Sequence, residues 1–369
     1  MKKTFQYRAI INKQTETKCN QWLETCRILY NLALEQRISI YRQYRKSISC
    51  IDQKNQLPDL KKEFFEFKAV GSQVLQDVIE RLQRAFDAFF RRCKNVGENA
   101  GFPRFRGRDR YDSFTLKQTG WKIEGRYLYI SGVGKFKLFL SRPIEGDIKT
   151  VTIRRTSSGK WFVCFSCDNV PVKEMSEAIA EVGIDVGIKE FLVDSTGRSV
   201  QNPKFFRHSE RILRRRQRAL ARKMRGSSRR GKAKILVAKA HEKILNQRKD
   251  FLHKIANFYV GAYKTIYVEA LNIKGMVKNR HLSKSIADAS WGKFFEYLTY
   301  KAEGADRRVI KVNPRNTSQL CSRCGEKVKK SLSVRTHACP FCGLVMDRDH
   351  NAAINIIAVG QAAQALSTQ

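Results

Sequence analysis

No apolar run in the chain approaches the length of a membrane span. The basic start, Met1-Lys2-Lys3-Thr4-Phe5-Gln6-Tyr7-Arg8, is followed by no apolar stretch of secretory-signal length. These absences argue against a membrane protein and an exported one, and the expectation is an intracellular, cytoplasmic protein. Acidic residues are also scarce: 34 Asp and Glu stand against 72 Lys and Arg, a formal charge of +38 on 369 residues. So large an excess makes a polyanion the expected partner. Nor are the cysteines arranged as a disulfide framework. Six of the ten are scattered and four lie between Cys321 and Cys342, which fits a reducing compartment and a metal site.

What is present is enough for two or three folded domains, since 42% of the residues are apolar. Residues 3 to 12 read as a strand. From Glu16 to Tyr44 the spacing of Trp22, Cys26, Leu29, Leu32 and Leu34 is helical. After Pro58 a second helical tract carries Val74, Leu75, Val78, Ile79, Leu82, Phe86, Phe89 and Phe90 as one inward stripe. Between about 101 and 168 the period shortens towards two, in Phe114-Thr115-Leu116, Tyr127-Leu128-Tyr129-Ile130, Val151-Thr152-Ile153 and Trp161-Phe162-Val163-Cys164-Phe165. The first half is therefore expected to be a small antiparallel β-barrel with helices inserted after its first strand.

From Val182 strands alternate with long helices, which predicts an α/β region. Acidic residues stand at three element ends there. Asp185 lies in Val182-Gly183-Ile184-Asp185-Val186-Gly187, Glu269 ends Thr265-Ile266-Tyr267-Val268-Glu269, and Asp347 and Asp349 open an apolar, helix-forming tail. Oxygen ligands of this kind suit Mg²⁺, and two such ions roughly 3.5–4 Å apart can activate water and stabilise the leaving oxygen of a phosphodiester. His350, beside Asp349, is expected at the surface and outside the site.

Cys321-Ser322-Arg323-Cys324 and Cys339-Pro340-Phe341-Cys342 form two C-x₂-C pairs, each followed by glycine, with fourteen residues between them. Four thiolates predict a structural zinc with no open position for a water. Cys164 and Cys167 also stand three apart, but in a strand, where they point to opposite faces, and so are read as core. Between Arg207 and Lys249 there are 17 Lys and Arg and only Glu210 and Glu242 as acids, with a helix break at Gly226-Ser227-Ser228. This helical hairpin, with Arg214, Arg215, Arg216 and Arg218 at its densest point, is expected to lie along a nucleic-acid backbone.

Several further runs carry a family resemblance: Val182 to Lys189, Leu282-Ser283-Lys284-Ser285-Ile286-Ala287-Asp288-Ala289-Ser290-Trp291-Gly292, Val312 to Gln319 with the cysteines, and Asp347-Arg348-Asp349-His350-Asn351-Ala352-Ala353. Tyr30-Asn31, Ser72-Gln73-Val74-Leu75-Gln76 and Gly101-Phe102-Pro103-Arg104-Phe105-Arg106 extend it over the first half. The chain resembles the transposon-encoded TnpB family and its relatives, the compact type V CRISPR effectors.

That resemblance implies an α+β multidomain fold. A wedge-type, OB-like β-barrel over 1–175 would hold an inserted helical recognition region at about 13–98. A RuvC-like nuclease of RNase H fold over 176–369 would carry the basic hairpin (207–249) and an inserted zinc ribbon (about 316–346). It further implies Asp185, Glu269 and Asp349 as catalytic Mg²⁺ ligands, with Asp347 the alternative to Asp349. Guide RNA and target double-stranded DNA are the implied partners, with nucleic-acid contacts at Gln73, Gln76, Arg104 and Arg106. The expected setting is a prokaryotic cytoplasm, against the nucleoid, with a monomer favoured. Two alternatives are a guided repressor without cleavage, argued against by the three retained acids, and a transposase with an RNase H-like core, argued against by the ribbon and the basic insertion.

Overall fold

A computed structural model of the chain describes residues 1–95, 97, 99–108, 110–172, 178–331 and 334–367. Two compact units result, Met1–Pro171 and Val172–Gln369. The boundary expected at 175/176 lies outside the described residues, as do Val96 and Glu98 at the far end of the expected helical insertion.

In the first unit β1 (Lys3–Ile11) buries Phe5, Tyr7 and Ala9 on one face, the period-two pattern of a strand. Asn12 then starts α1 (Lys13–Tyr44): its Oδ1 accepts the Thr15 N–H at 2.7 Å, satisfying one orphan donor of the first turn. The helix stops at Arg45, which adopts a left-handed conformation (φ 54°). Leu32 departs from the expected inward stripe and is 50% exposed. At 100° per residue it lies roughly 90° around the axis from the centre of the arc formed by Trp22, Cys26, Leu29 and Ala33. Short helices α2 (Cys50–Asn55), α3 (Leu57–Glu63) and α4 (Phe65–Lys68) lead to α5 (Ser72–Lys94). The α5 stripe is buried from Val74 to Phe86, but Phe89 is only half-buried and Phe90 faces outwards.

The remaining strands of this unit are β2 (Ser113–Leu116), β3 (Trp121–Glu124), β4 (Tyr127–Ile130), β5 (Gly134–Leu138), β6 (Asp147–Arg155) and β7 (Trp161–Asp168). With β1 they form one antiparallel sheet in the order β2-β6-β7-β1-β5-β4-β3. Its edge strands, β2 and β3, are consecutive in the chain. If flat, the sheet would hold them about 29 Å apart at ~4.8 Å per strand, whereas the five Cα steps from Leu116 to Trp121 reach at most about 18 Å. The sheet must therefore curl. Among the described residues no ladder joins β2 to β3, so the expected barrel is a curled sheet with unpaired edges. Cys164 and Cys167 point to opposite faces of β7 as expected, but only Cys167 is core; Cys164 is half-buried on the other face.

The second unit starts with β8 (Ile179–Val186), β9 (Glu190–Asp194), β10 (Ser199–Gln201), α6 (Phe205–Ala221), α7 (Ser228–Ala262) and β11 (Tyr263–Glu269). Then come α8 (Ile273–Met276), α9 (Ser283–Ala289), α10 (Trp291–Glu303), β12 (Arg308–Val312), the hairpin of β13 (Thr336–Ala338) and β14 (Val345–Asp347), and α11 (Arg348–Ser367). The main sheet has the order β10-β9-β8-β11-β12. Strands β8, β11 and β12 are parallel, and β8-β9-β10 are antiparallel. The α7 helix continues beyond the expected hairpin end at 249, because Leu252, Ile255, Ala256, Tyr259 and Val260 of its last turns bury against this sheet. Val182, Ile184, Ile266 and Val268 meet them from the strands, with Phe294 and Leu298 from α10. The opposite face of the sheet is covered by α11, where Ile356 packs with Tyr267 and Val312, and which approaches so closely that a Cβ on Gly183 would run into the Ala353 carbonyl. This close packing is why a glycine precedes Ile184-Asp185.

Candidate functional site

Because β8 and β11 are parallel and pair Ile184 with Val268, Asp185 and Glu269 stand side by side at the carboxyl ends of adjacent strands. The third acid comes from α11. Asp347 is exposed, and its Oδ1 accepts the backbone N–H groups of Asp349 (2.8 Å) and His350 (3.1 Å), which makes it the cap of that helix. Capping fixes the first turn and leaves Asp349 half-buried, near enough to Asp185 to act on its charge.

Burial, then the Glu269 charge, then the Asp349 charge hold the Asp185 carboxyl well above the ordinary carboxylate range, with Arg348 working the other way. Burial raises Glu269 too, offset by the Thr317 hydroxyl, which donates to Oε1 at 2.5 Å. Asp349 takes Arg348 Nε (3.1 Å) and Nη2 (2.9 Å) on Oδ1 and Arg335 Nη1 (3.3 Å) on Oδ2. Asp185 and Glu269 have no such arginine ligand among the described residues, and a set of carboxylate oxygens in which Glu269 and Asp349 both press their charge on Asp185 suits a hard divalent cation.

The four cysteines converge, their sulfurs all within 4.8 Å of one another. Gly325 and Gly343, at φ 77° and 73°, make the turns after each pair. Cys321 is buried, yet the N–H groups of Cys324 and Arg323, aided by His337 and Cys342, bring its thiol down to about 5. The Cys324 thiol is pushed up to about 12 by burial and by Cys321, Cys339 and Cys342, against the pull of the Glu326 N–H. Four sulfurs this close cannot all ionise without a cation, and Zn²⁺ suits a tetrahedral thiolate set.

Three residues that the motif reading gave no role tie this cluster to the acids. Asn351 Oδ1 accepts the Ser322 N–H (2.9 Å) and its Nδ2 donates to the Leu320 carbonyl (2.7 Å). Asn355, one turn on, donates to the carbonyls of Thr317 and Leu320, both at 2.8 Å. Thr317 in turn holds Glu269. The available signal was the i, i+4 pair of asparagines on a helix otherwise lined by Ala352, Ala353 and Ile356. Expected at the surface, His350 is instead half-buried: Nε2 lies 3.2 Å from the Ser195 carbonyl and the ring packs over Gly197, seating α11 on the β9–β10 turn.

The basic hairpin sorts its arginines by helical phase. Arg207, Arg211, Arg214, Arg215, Arg218 and Arg222 line one open groove of about 880 Å³ along α6. Arg216 does not belong to it. It is half-buried and donates to the Leu236 carbonyl of α7 at 3.0 Å, so it clasps the hairpin and does not offer its charge outwards. Asp288 of α9, buried, accepts the N–H groups of Phe206 (2.9 Å) and Arg207 (3.3 Å) and pairs with Arg248 at 2.7 Å. It thereby caps α6 from outside the helix.

In the first unit Gln76 is exposed, but Gln73 is committed internally, donating to Thr119 Oγ1 (2.7 Å) and accepting the Lys117 N–H (3.1 Å). Arg104 is exposed. Arg106 is exposed as well, its guanidinium 5.4 Å from the Tyr30 ring centre.

Residues 164–280 match a family model described as "Probable transposase", 291–356 one described as "Cas12f1-like, TNB domain", and 1–46 one described as a helix-turn-helix domain. That last stretch is here one strand and one unbroken helix. A Streptomyces pristinaespiralis protein described as an RNA-guided DNA endonuclease is 32% identical, covering 99% of this chain and 91% of its own. An Escherichia coli K12 protein, InsQ, also described as an RNA-guided DNA endonuclease, is 28% identical, covering 95% of this chain and 90% of its own. Among solved structures, Cas12f1 from a complex with single-guide RNA and target DNA superposes with a TM-score of 0.57 at 15% identity, covering 96% of this chain and 98% of that one.

Proposed function

Since the chain belongs to the TnpB family of RNA-guided DNA endonucleases, we propose that Asp185, Glu269 and Asp349 are the residues with which it hydrolyses target DNA. The observation that carries this is the convergence of β8, β11 and α11, which sets the charges of Glu269 and Asp349 on Asp185. Bound between these acids, divalent magnesium would supply activation of water and stabilisation of the leaving oxygen. The protein's share is orientation. Thr317 holds the Glu269 carboxylate, Arg335 and Arg348 fix that of Asp349, and the Asp347 cap sets the start of α11.

Guide RNA and double-stranded target DNA are the partners in this reading. Sequence choice passes to base pairing, and the protein supplies backbone contacts and reads a short flanking motif. The α6 groove is suited to the backbone, with arginines recurring every three or four residues along about 22 Å of helix at 1.5 Å per residue. The four-thiolate ribbon staples the foot that carries Thr317, a structural use of zinc. The first unit would then be the wedge and recognition part, and the second the RuvC-like nuclease.

The deciding experiment purifies the chain with its RNA, sequences that RNA, and replaces the guide segment. Cleavage that moves with the new guide, needs Mg²⁺ and disappears in Asp185→Ala supports the reading. RNA-free protein cutting one fixed sequence would overturn it.

A further inference from the structure

A strap of chain, residues 101–108, lies against α1 and α5 in the first unit, and it displays aromatic rings where burial would be expected. Phe102 is 45% exposed, Phe105 52% and, beside them on α5, Phe90 55%. Phe102 rests edge-on against Phe86 (5.5 Å) and Phe89 (5.3 Å). Among the described residues no ring stacks on Phe105, and Arg104 has no hydrogen-bond or ion partner.

This backbone is held, not loose. Asn31 grips Arg106 on both sides, accepting its N–H (2.8 Å) and donating to its carbonyl (3.0 Å), while Arg27 donates to the same carbonyl (3.2 Å). Arg92 holds the Gly101 carbonyl at 3.2 Å, and Pro103 restricts its own φ and that of its neighbour. Beyond the strap Tyr111 is buried against Tyr30 and Arg81. A pinned segment presenting a bare ring between two arginines has already met the ordering cost of binding.

We infer that the strap is a seat for unpaired bases of the guide RNA, with Phe105 as the stacking face and Arg104 and Arg106 on the flanking phosphates. Every base has a π-face, so such a seat is tolerant of sequence, and the arginines select a polyanion over an apolar protein partner. Of the two nucleic acids, target DNA arrives paired and buries its base faces, whereas an RNA carries unstacked loops from the outset. The inference rests on the guided-nuclease reading for the identity of that RNA.

The test uses the full chain and a short unstructured RNA carrying 2-aminopurine, with the same sequence as duplex RNA and as single-stranded DNA. Binding of single-stranded RNA should quench the fluorophore. Phe105→Leu should weaken that binding about tenfold and abolish the quench, with duplex affinity unchanged, and Phe105→Trp should restore both. Arg104→Gln should instead lower the salt slope by about 0.7 and keep the quench. Equal binding and quench in Phe105→Leu, an equal loss on duplex, or tighter binding of single-stranded DNA would each overturn the inference. Guide-directed cleavage by the unaltered chain separates the two claims. If it follows the guide while Phe105→Leu binds RNA normally, the strap alone fails; if it ignores the guide, the parent reading fails.

Discussion

Thr317 Oγ1 donates to Glu269 Oε1 at 2.5 Å, and the Thr317 carbonyl is itself held by Asn355 Nδ2 at 2.8 Å. The acid at the end of β11 is thus aimed from the foot of the cysteine ribbon and from α11 together. Thr317→Val keeps the buried shape and removes the donor, so single-turnover cleavage should fall by about ten- to a hundredfold, as loss of a hydrogen bond to a charged group costs roughly 1.5–3 kcal/mol. Thr317→Ser should stay within about twofold of the original. A purely packing role would give the reverse order.

The neighbouring acids Asp347 and Asp349 should separate cleanly. Asp349→Ala is expected to abolish cleavage with RNA and DNA binding retained. Asp347→Ala should keep the chemistry but lose a helix cap worth about 1 kcal/mol, seen as a melting temperature lower by about 2–4 °C. An inactive Asp347→Ala with unchanged melting would exchange their roles.

Asp185 carries a pH signature. Its carboxyl is raised in the folded state above the ordinary 3.8, so the unfolded chain releases that proton first and stability falls as pH rises through the interval between the two values. In magnesium-free buffer with zinc retained, Asp185→Asn should therefore melt higher than the original at neutral pH. The difference should vanish once pH drops below about 3.8, where both states of Asp185 are protonated. Adding Mg²⁺ should stabilise the original and not the variant. Thermal melts across pH check the sign.

Removal of zinc should reach the nuclease through the same foot. Cys339→Ser is expected to lose bound zinc, open the segment around 316–346 to limited proteolysis, and slow cleavage at least as much as Thr317→Val, because a ribbon this small has no core to replace the metal. Metal analysis and proteolysis on one preparation test it. Intact folding with no metal would remove the zinc assignment.

For the basic hairpin, neutralising Arg214, Arg215 and Arg218 together should lower the slope of log affinity against log salt by about 2–2.7, from roughly 0.7–0.9 per phosphate contact. Arg216→Gln should leave the slope nearly unchanged and destabilise the hairpin, since its guanidinium is committed to the Leu236 carbonyl. Salt titrations of the two variants side by side decide between a charge stripe and an undivided basic cluster.

Local chemistry dictated much of what could be read from residues alone. Period-two and helical spacing mark the elements, the cysteine pairs carry their own turn glycines, and a lone acid after each apolar strand marks Asp185 and Glu269, because side-chain periodicity and turn strain are properties of neighbours in sequence. Which acid of Asp347 and Asp349 faces the others depended on where α11 begins, and residues alone leave that boundary uncertain by a turn. Leu32 and Phe90 sit in apolar patterns yet face outwards, because a helix buries only the arc that another element covers. Arg216 is indistinguishable in sequence from Arg215, and the axis between α6 and α7 decides that one clasps a carbonyl while the other lines a groove. The Glu269–Thr317–Asn355 connection spans 86 residues. Only the parallel pairing of β8 with β11 and the close seat of α11 on Gly183 bring it about, since contacts between distant residues depend on packing that no local pattern encodes.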